Sequence, residues 1–215
     1  MRAAMTYKTR FQYLFDKARD IAQAQAVLNP PDPRMPPLFF VTDPKRTPHP
    51  EDIVAHLPAG CGVIYRSFGE SHALQRARLL RKIADDDGLI LFIGDDEALA
   101  REIGADGVHL PERNIHRAPV LTNDFLVTAA CHSLDAIRRP EIHAAHAVLV
   151  SPVFTSRSAS AASVEPLGVK GVRAFAEASA VPVYGLGGIT CDTIGMLKDS
   201  GLSGVAAVDA FSLVD

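Results

Sequence analysis

The chain has 215 residues, which at roughly 100 to 200 residues per domain suits one large domain, and its 47% hydrophobic and 22% charged residues exclude disordered and fibrous architectures. With 22 basic against 25 acidic residues and a net charge of −3, no overall field draws it to nucleic acid or to an anionic membrane. Cys61, Cys131 and Cys191 have neither metal-site nor disulfide-framework spacing, no run approaches the ~18 apolar residues of a membrane span, and the N-terminus is charged where a secretory signal is apolar, so a cytoplasmic protein is expected.

Thr6 to Leu28 places Tyr7, Phe11, Leu14, Phe15, Ala18, Ile21 and Ala22 at spacings of three and four, with Lys8, Arg10, Lys17 and Arg19 between them. This pattern predicts an amphipathic helix. Five prolines in the nine residues Asn29 to Pro37 stop it and form a linker or rigid strap. Eight short apolar runs follow: Leu38 to Thr42, Gly62 to Arg66, Leu89 to Gly94, Gly107 to Leu110, Leu126 to His132, Ala147 to Val153, Pro182 to Gly188 and Gly204 to Phe211. Most are continuously apolar, as strands buried on both faces are. Between them, helices are predicted over Ser71 to Asp87, Asp96 to Ile103, Ser133 to Ala144, Lys170 to Ser179 and Thr190 to Asp199, and none over Glu112 to Phe125.

Eight strands at about 22 residues per unit define an α/β chain, a compact (β/α)8 TIM barrel at residues 38–215 preceded by the helix and strap at 1–37. An open doubly wound sheet is the alternative. With four residues after Phe211, no eighth C-terminal helix is expected, and the N-terminal helix is expected to cover strands one and eight in its place. The apolar face of that helix also suits a homodimer interface.

Functional residues of such a barrel lie at the carboxyl ends of the strands. Those ends read Asp43, Arg66, Asp95, Glu112 to Asn114, His132, the loop Ser151 to Gly168, Gly187 with Gly188, and Asp209. The order FFVTD, GVIYR, ADGVHL, CHSL, SPVF, YGLGGIT and GVAAVDAF resembles the thiamine-phosphate synthase and TenI-like superfamily from Leu38 to Phe211. That resemblance implies thiamine biosynthesis on a small thiazole phosphate or pyrimidine diphosphate. Synthases of the family join the two with Mg²⁺ and release diphosphate, whereas tautomerases isomerise the thiazole phosphate without a metal.

By the same resemblance Arg66 and Arg157 bind anionic substrate groups, Asp95 holds Mg²⁺ if a metal binds, and Gly187 with Gly188 cradles phosphate beside Asp209. Asn114 stands at the second metal position, where the family has aspartate. Ile64 and Phe68 replace a glutamine and a lysine, Gly94 replaces an asparagine, and the loop TSRSASAASVEPLG lacks the TxTK pattern. His132 matches the motif histidine, and imidazole is the natural group for moving protons near neutral pH. HLPE, His109 to Glu112, resembles the tautomerase form.

The helix expected from Thr190 would add free N–H groups for phosphate. An unpaired Asp209 about 5 Å from one phosphate charge would cost about 3 kcal/mol at an effective dielectric of ~20. Three resolutions are open: pairing with Arg66 or Arg157, an orientation away from the loop, or an unphosphorylated ligand. GLGG with Asp209 about 20 residues on also outlines a dinucleotide fingerprint, but that fingerprint belongs at the first strand of its fold and Thr190 replaces its last glycine. The altered positions leave a non-catalytic binder or regulatory relative as the alternative to an enzyme. Ser156 to Ser163 is expected to be mobile, able to close over a ligand as a lid, although its low complexity equally suits a slack loop.

Overall fold

The computed structural model describes residues 5–26, 31–156 and 164–213. Eight parallel strands close into a barrel in chain order: β1 Leu38–Val41, β2 Gly62–Tyr65, β3 Ile90–Gly94, β4 Gly107–Leu110, β5 Leu126–Cys131, β6 Ala147–Val150, β7 Val183–Leu186 and β8 Gly204–Ala207. Closure is made by β8 against β1, with Phe39 opposite Ala206. The helices are α1 Tyr7–Ala26, α2 Pro50–Val54, α3 Ala73–Asp87, α4 Glu97–Ile103, α5 Ala118–Leu121, α6 Leu134–Ile137 and α7 Gly168–Ala178, with 3₁₀ turns at Glu112–Arg117, Pro140–Ala144, Ile194–Leu197 and Asp209–Phe211.

Alternation along each strand sends one residue set inward and the other outward. Inside, Phe39, Phe92 and Tyr184 meet edge to face, with centroids 5.2 and 5.6 Å apart. Each ring lies over a glycine of the next strand: Phe39 opposite Gly62, Phe92 opposite Gly107, Tyr184 opposite Gly204. A Cβ on those glycines would stand 2.4, 2.3 and 2.2 Å from the ring, so the barrel is filled by three rings and three deletions of side chain. Val63, Leu91, Val127, Val148 and Val205 form the outer layer under the helices.

Helix α1 takes the vacant eighth position. Phe11, Leu14, Ala18 and Ile21 are buried, and Phe11 packs on Phe211, itself against Phe40 of β1. The Arg10 guanidinium donates to the Ser212 carbonyl. These apolar residues, expected to serve either the vacancy or a dimer, are spent within the chain.

Past α1, the strap closes the amino-terminal pole. Met35 enters the interior cluster, the Pro36 carbonyl accepts from Tyr184 Oη at 3.0 Å, and the Pro37 carbonyl accepts from Val205 N at 3.0 Å.

Several expectations need correction. The helix expected over Thr190 to Asp199 is absent. Thr193 Oγ1 takes the Thr190 N–H at 2.8 Å, and Thr190 Oγ1 takes the Asp192 N–H at 3.2 Å. The Thr193 and Ile194 N–H groups both turn to the Thr190 carbonyl. Hydroxyls that compete for backbone donors in this way turn the chain before an α-helix can start.

The helix expected over Ser133 to Ala144 breaks at Pro140, which has no N–H to continue it. Glu112 to Phe125 does turn helical, because Pro119 presets the first turn of α5. Pro50 does the same for α2, which the pattern did not reveal. The strand expected to reach Phe211 ends at Ala207, and Asp209–Phe211 coils.

Candidate functional site

Inward parity continued past the strand ends brings Arg66, His109, His132 and Ser151 to the carboxyl-terminal mouth. His132 Nδ1 lies 3.4 Å from Ser151 Oγ and 3.5 Å from the Ser151 carbonyl. Its backbone N–H is fixed by Glu112 Oε2 at 2.6 Å. His109 Nδ1 is 2.9 Å from Thr128 Oγ1 on the neighbouring strand. Burial first, then the nearby charges of Arg66 and His132, push the His109 imidazole down to about 3, so it is a neutral hydrogen-bonding group at physiological pH. Cys131, adjacent to His132, faces outward and is buried under the helices, and burial raises its thiol to about 11.

Two charge clusters flank these residues. On the side of β8, β1 and β2, Arg46 pairs with Asp209 at 3.2 Å and with Asp43 at 3.1 Å. Arg66 lies 3.7 Å from the same Asp43 and donates through Nε to the Thr42 carbonyl at 2.8 Å. Burial would raise the Asp43 carboxyl, but hydrogen bonds from Arg46 and the backbone outweigh it and hold it below the usual range. Burial lowers the Arg66 guanidinium, with Asp43 opposing. Asp209 therefore has a partner, but it is Arg46 rather than Arg66. Arg157, the other expected partner and substrate residue, lies outside the described residues, as does most of the expected lid.

On the side of β3 and β4, Asp95 adopts φ +58°, a left-handed conformation tolerated by aspartate better than by bulkier residues. Its carboxylate accepts from Asn114 Nδ2 at 2.8 and 3.0 Å, from Arg113 at 3.1 Å and from Arg117 at 3.3 Å. Arg117 also bonds Glu97 at 3.1 Å.

The two residues expected at the metal thus do meet, as an amide donating to a carboxylate. Mg²⁺ takes oxygen ligands, typically one or two carboxylates with water and phosphate. Here both oxygens of the single carboxylate face N–H donors, two of them cationic, and among the described residues no group of three His, Cys, Asp or Glu could hold a metal. This donor set does not fit Mg²⁺.

Gly187 and Gly188 have φ +100° and +67°. A Cβ on Gly188 would stand 2.5 Å from the Thr155 carbonyl oxygen and 2.7 Å from Phe154, so the loop after β6 requires this glycine regardless of any ligand. The free helix terminus expected beside them is replaced by the threonine-satisfied turn.

Arg46 and Arg117 escaped the sequence reading because they lie beyond the strand ends, and the partners that draw them to the mouth, Asp209 for Arg46 and Asp95 for Arg117, are distant in the chain. His109 was read for its motif, although its period-two position in β4 already pointed inward.

The fold and the site define a closed parallel βα barrel whose carboxyl-terminal mouth is ionic and bears histidines. The model of the family described as thiamine monophosphate synthase matches residues 38–211, and the chain belongs to that family. A thiamine-phosphate synthase of Lactococcus lactis subsp. cremoris (strain MG1363) is 27% identical over 150 residues, covering 68% of this chain and 67% of that protein. The thiamine biosynthesis bifunctional protein ThiM/ThiE of Symbiobacterium thermophilum is 31% identical over 194 residues, 84% of this chain and 40% of the larger protein. The solved thiamine phosphate pyrophosphorylase from Pyrococcus furiosus superposes with a TM-score of 0.71 at 22% identity, over 82% of this chain and 87% of that one, a likeness of fold. Among the described residues no helix is long and apolar enough to cross a membrane.

Proposed function

We propose that this barrel takes a thiazole phosphate of thiamine biosynthesis and acts on it by proton transfer without a divalent metal. The observation that carries this reading is the engaged Asp95 carboxylate: its oxygens hold Asn114, Arg113 and Arg117 where a diphosphate-releasing site needs them for Mg²⁺. Isomerisation of the ring asks only that a proton leave one atom and return at another, so no co-substrate is consumed.

His132 is the group that moves it. With Nδ1 turned toward Ser151, Nε2 is the nitrogen left to meet the ligand, and Glu112 anchors the backbone beneath it. Neutral His109 supplies a hydrogen bond deeper in the mouth. Phosphate lies at Gly187 and Gly188, with Arg46 the cation at the β8 end and Asp209 limiting how much of its charge is offered. Three cysteines without disulfide partners suit a reducing cytoplasm.

Two assays decide the matter. Thiazole phosphate supplied alone, with a chelator present, is expected to isomerise, and His132→Asn is expected to abolish the reaction while retaining binding. Diphosphate release from both substrates with Mg²⁺, at a rate matching a true synthase, would overturn the reading. Tight binding with neither reaction would instead make the chain a binding relative of its family.

A further inference from the structure

Phe68 lies three residues beyond β2 at the same mouth, and at 72% exposed it is the most open of the large hydrophobic side chains among the described residues. The loop that carries it is pinned on both sides. Ser67 is buried, the Glu70 N–H closes a turn on the Ser67 carbonyl at 3.0 Å, and the Glu70 carboxylate holds the Tyr65 hydroxyl and Arg76. Arg76 in turn reaches Glu51 at 3.5 Å. Phe68 is thus presented by a fixed loop and not by slack chain.

It is also held against its backbone preference. Its φ is +47°, in the left-handed region where a bulky residue is an outlier and where strain gathers at functional sites. Glycine would sit there at ease. A residue that is strained, fixed and solvent-facing has no account in the packing of the barrel.

The Arg66 guanidinium carbon stands 5.3 Å from the Phe68 ring centroid, a cation–π distance. Arg66 is itself set by its bonds to Thr42, so it fixes one face of the ring, and the exposure leaves the other face to an incoming group. We propose that Phe68 is the stacking surface for the ligand's heteroaromatic ring, selecting a planar ligand over an extended diphosphate. An aromatic face rewards a second π system and gives nothing to a polyanion. The lysine that the family resemblance places here would do the reverse. The inference rests on the thiazole reading above and names the residue that recognises the ring.

The chain contains no tryptophan, so Phe68→Trp installs a single fluorescent reporter at the mouth. Its emission is expected to change on titration with thiazole phosphate and with the unphosphorylated thiazole alcohol, and to stay constant with inorganic phosphate. By calorimetry, Phe68→Ala should weaken thiazole phosphate about three- to tenfold, the range for an aromatic pair, and leave inorganic phosphate unchanged. Phe68→Lys should shift preference toward pyrophosphate. Phe68→Gly, which relieves the backbone, should melt no lower than the native protein and share the ring-binding loss, separating recognition from folding. Native affinity in Phe68→Ala, or equal losses for thiazole phosphate and inorganic phosphate, would overturn the inference while leaving the thiazole reading intact. A native protein that binds no thiazole compound would overturn both.

Discussion

The two poles of the barrel are built on opposite principles. At the amino-terminal pole Met35, Phe39, Phe92 and Tyr184 fill the interior, and the strap's carbonyls are matched by Tyr184 and Val205. At the carboxyl-terminal pole the lining is Arg66, His109, His132 and Ser151, flanked by two ion networks, and two left-handed residues other than glycine, Phe68 and Asp95, occur in its loops. The second pole gathers charge around an open mouth and carries two of the three described non-glycine residues with positive φ, the third, Asp199, standing before β8; strain beside charge at an open mouth marks where a fold has given up stability for recognition. Substitutions at the first should therefore move stability and those at the second should move ligand affinity.

The largest expected effect is Phe39→Ala, which should destabilise by about 3–5 kcal/mol as a full ring leaves a closed interior. Urea unfolding measures it, and thiazole phosphate affinity in the folded fraction should change little. A large affinity loss would break the division between the poles.

The pH response comes next. His109 stays neutral in the folded chain down to about 3, whereas the unfolded chain protonates it near 6.5. Its contribution is then complete above that unfolded value and is lost as pH falls toward the folded one. Between pH 7 and 5 the loss is about 2 kcal/mol, and His109→Gln should lose correspondingly less over that range. Imidazole resonances of His109 that titrate above pH 5 would contradict this.

Asp209→Ser frees Arg46 from one of its two carboxylates. It should tighten inorganic phosphate about tenfold, less than the full ~3 kcal/mol of an unpaired charge because Arg46 already offsets it. Stability should move by less than about 0.5 kcal/mol, as exposed pairs contribute little, and unchanged affinity in a titration would remove Asp209 from the site. Smallest is Tyr184→Phe, which strands the Pro36 carbonyl and should cost about 1 kcal/mol with ligand binding untouched.

The strands were legible in the sequence because a parallel barrel buries both faces, leaving unbroken apolar runs such as LILFIG. The amphipathic α1 was legible from the spacing of Phe11, Leu14, Ala18 and Ile21, the face that is buried against the barrel. The segment after Thr190 was not, because two threonine hydroxyls decide it through bonds that no hydrophobic period records. At the mouth the strand-end rule found Arg66, Asp95, His132 and Asp209 but not what they touch: Arg46 and Asp209 are 163 residues apart, and Asp95 takes its donors from a turn that carried no helical signature. Asn114 could be seen to replace a metal carboxylate, but its bond to Asp95, which turns the substitution into a filled site, exists only in three dimensions.

The three rings that overlie glycines have a consequence for the height of the mouth. Slipping a strand by one residue would turn its side chains to the other face. Slipping β2 by two would preserve its faces but bring Ile64 to the place Gly62 now holds beneath Phe39, where even a Cβ is only 2.4 Å away. The same obstruction guards β4 under Phe92 and β8 under Tyr184. These pairs act as detents on the stagger of the barrel, so the level at which Arg66 and His109 emerge is indexed from the opposite, closed end of the molecule.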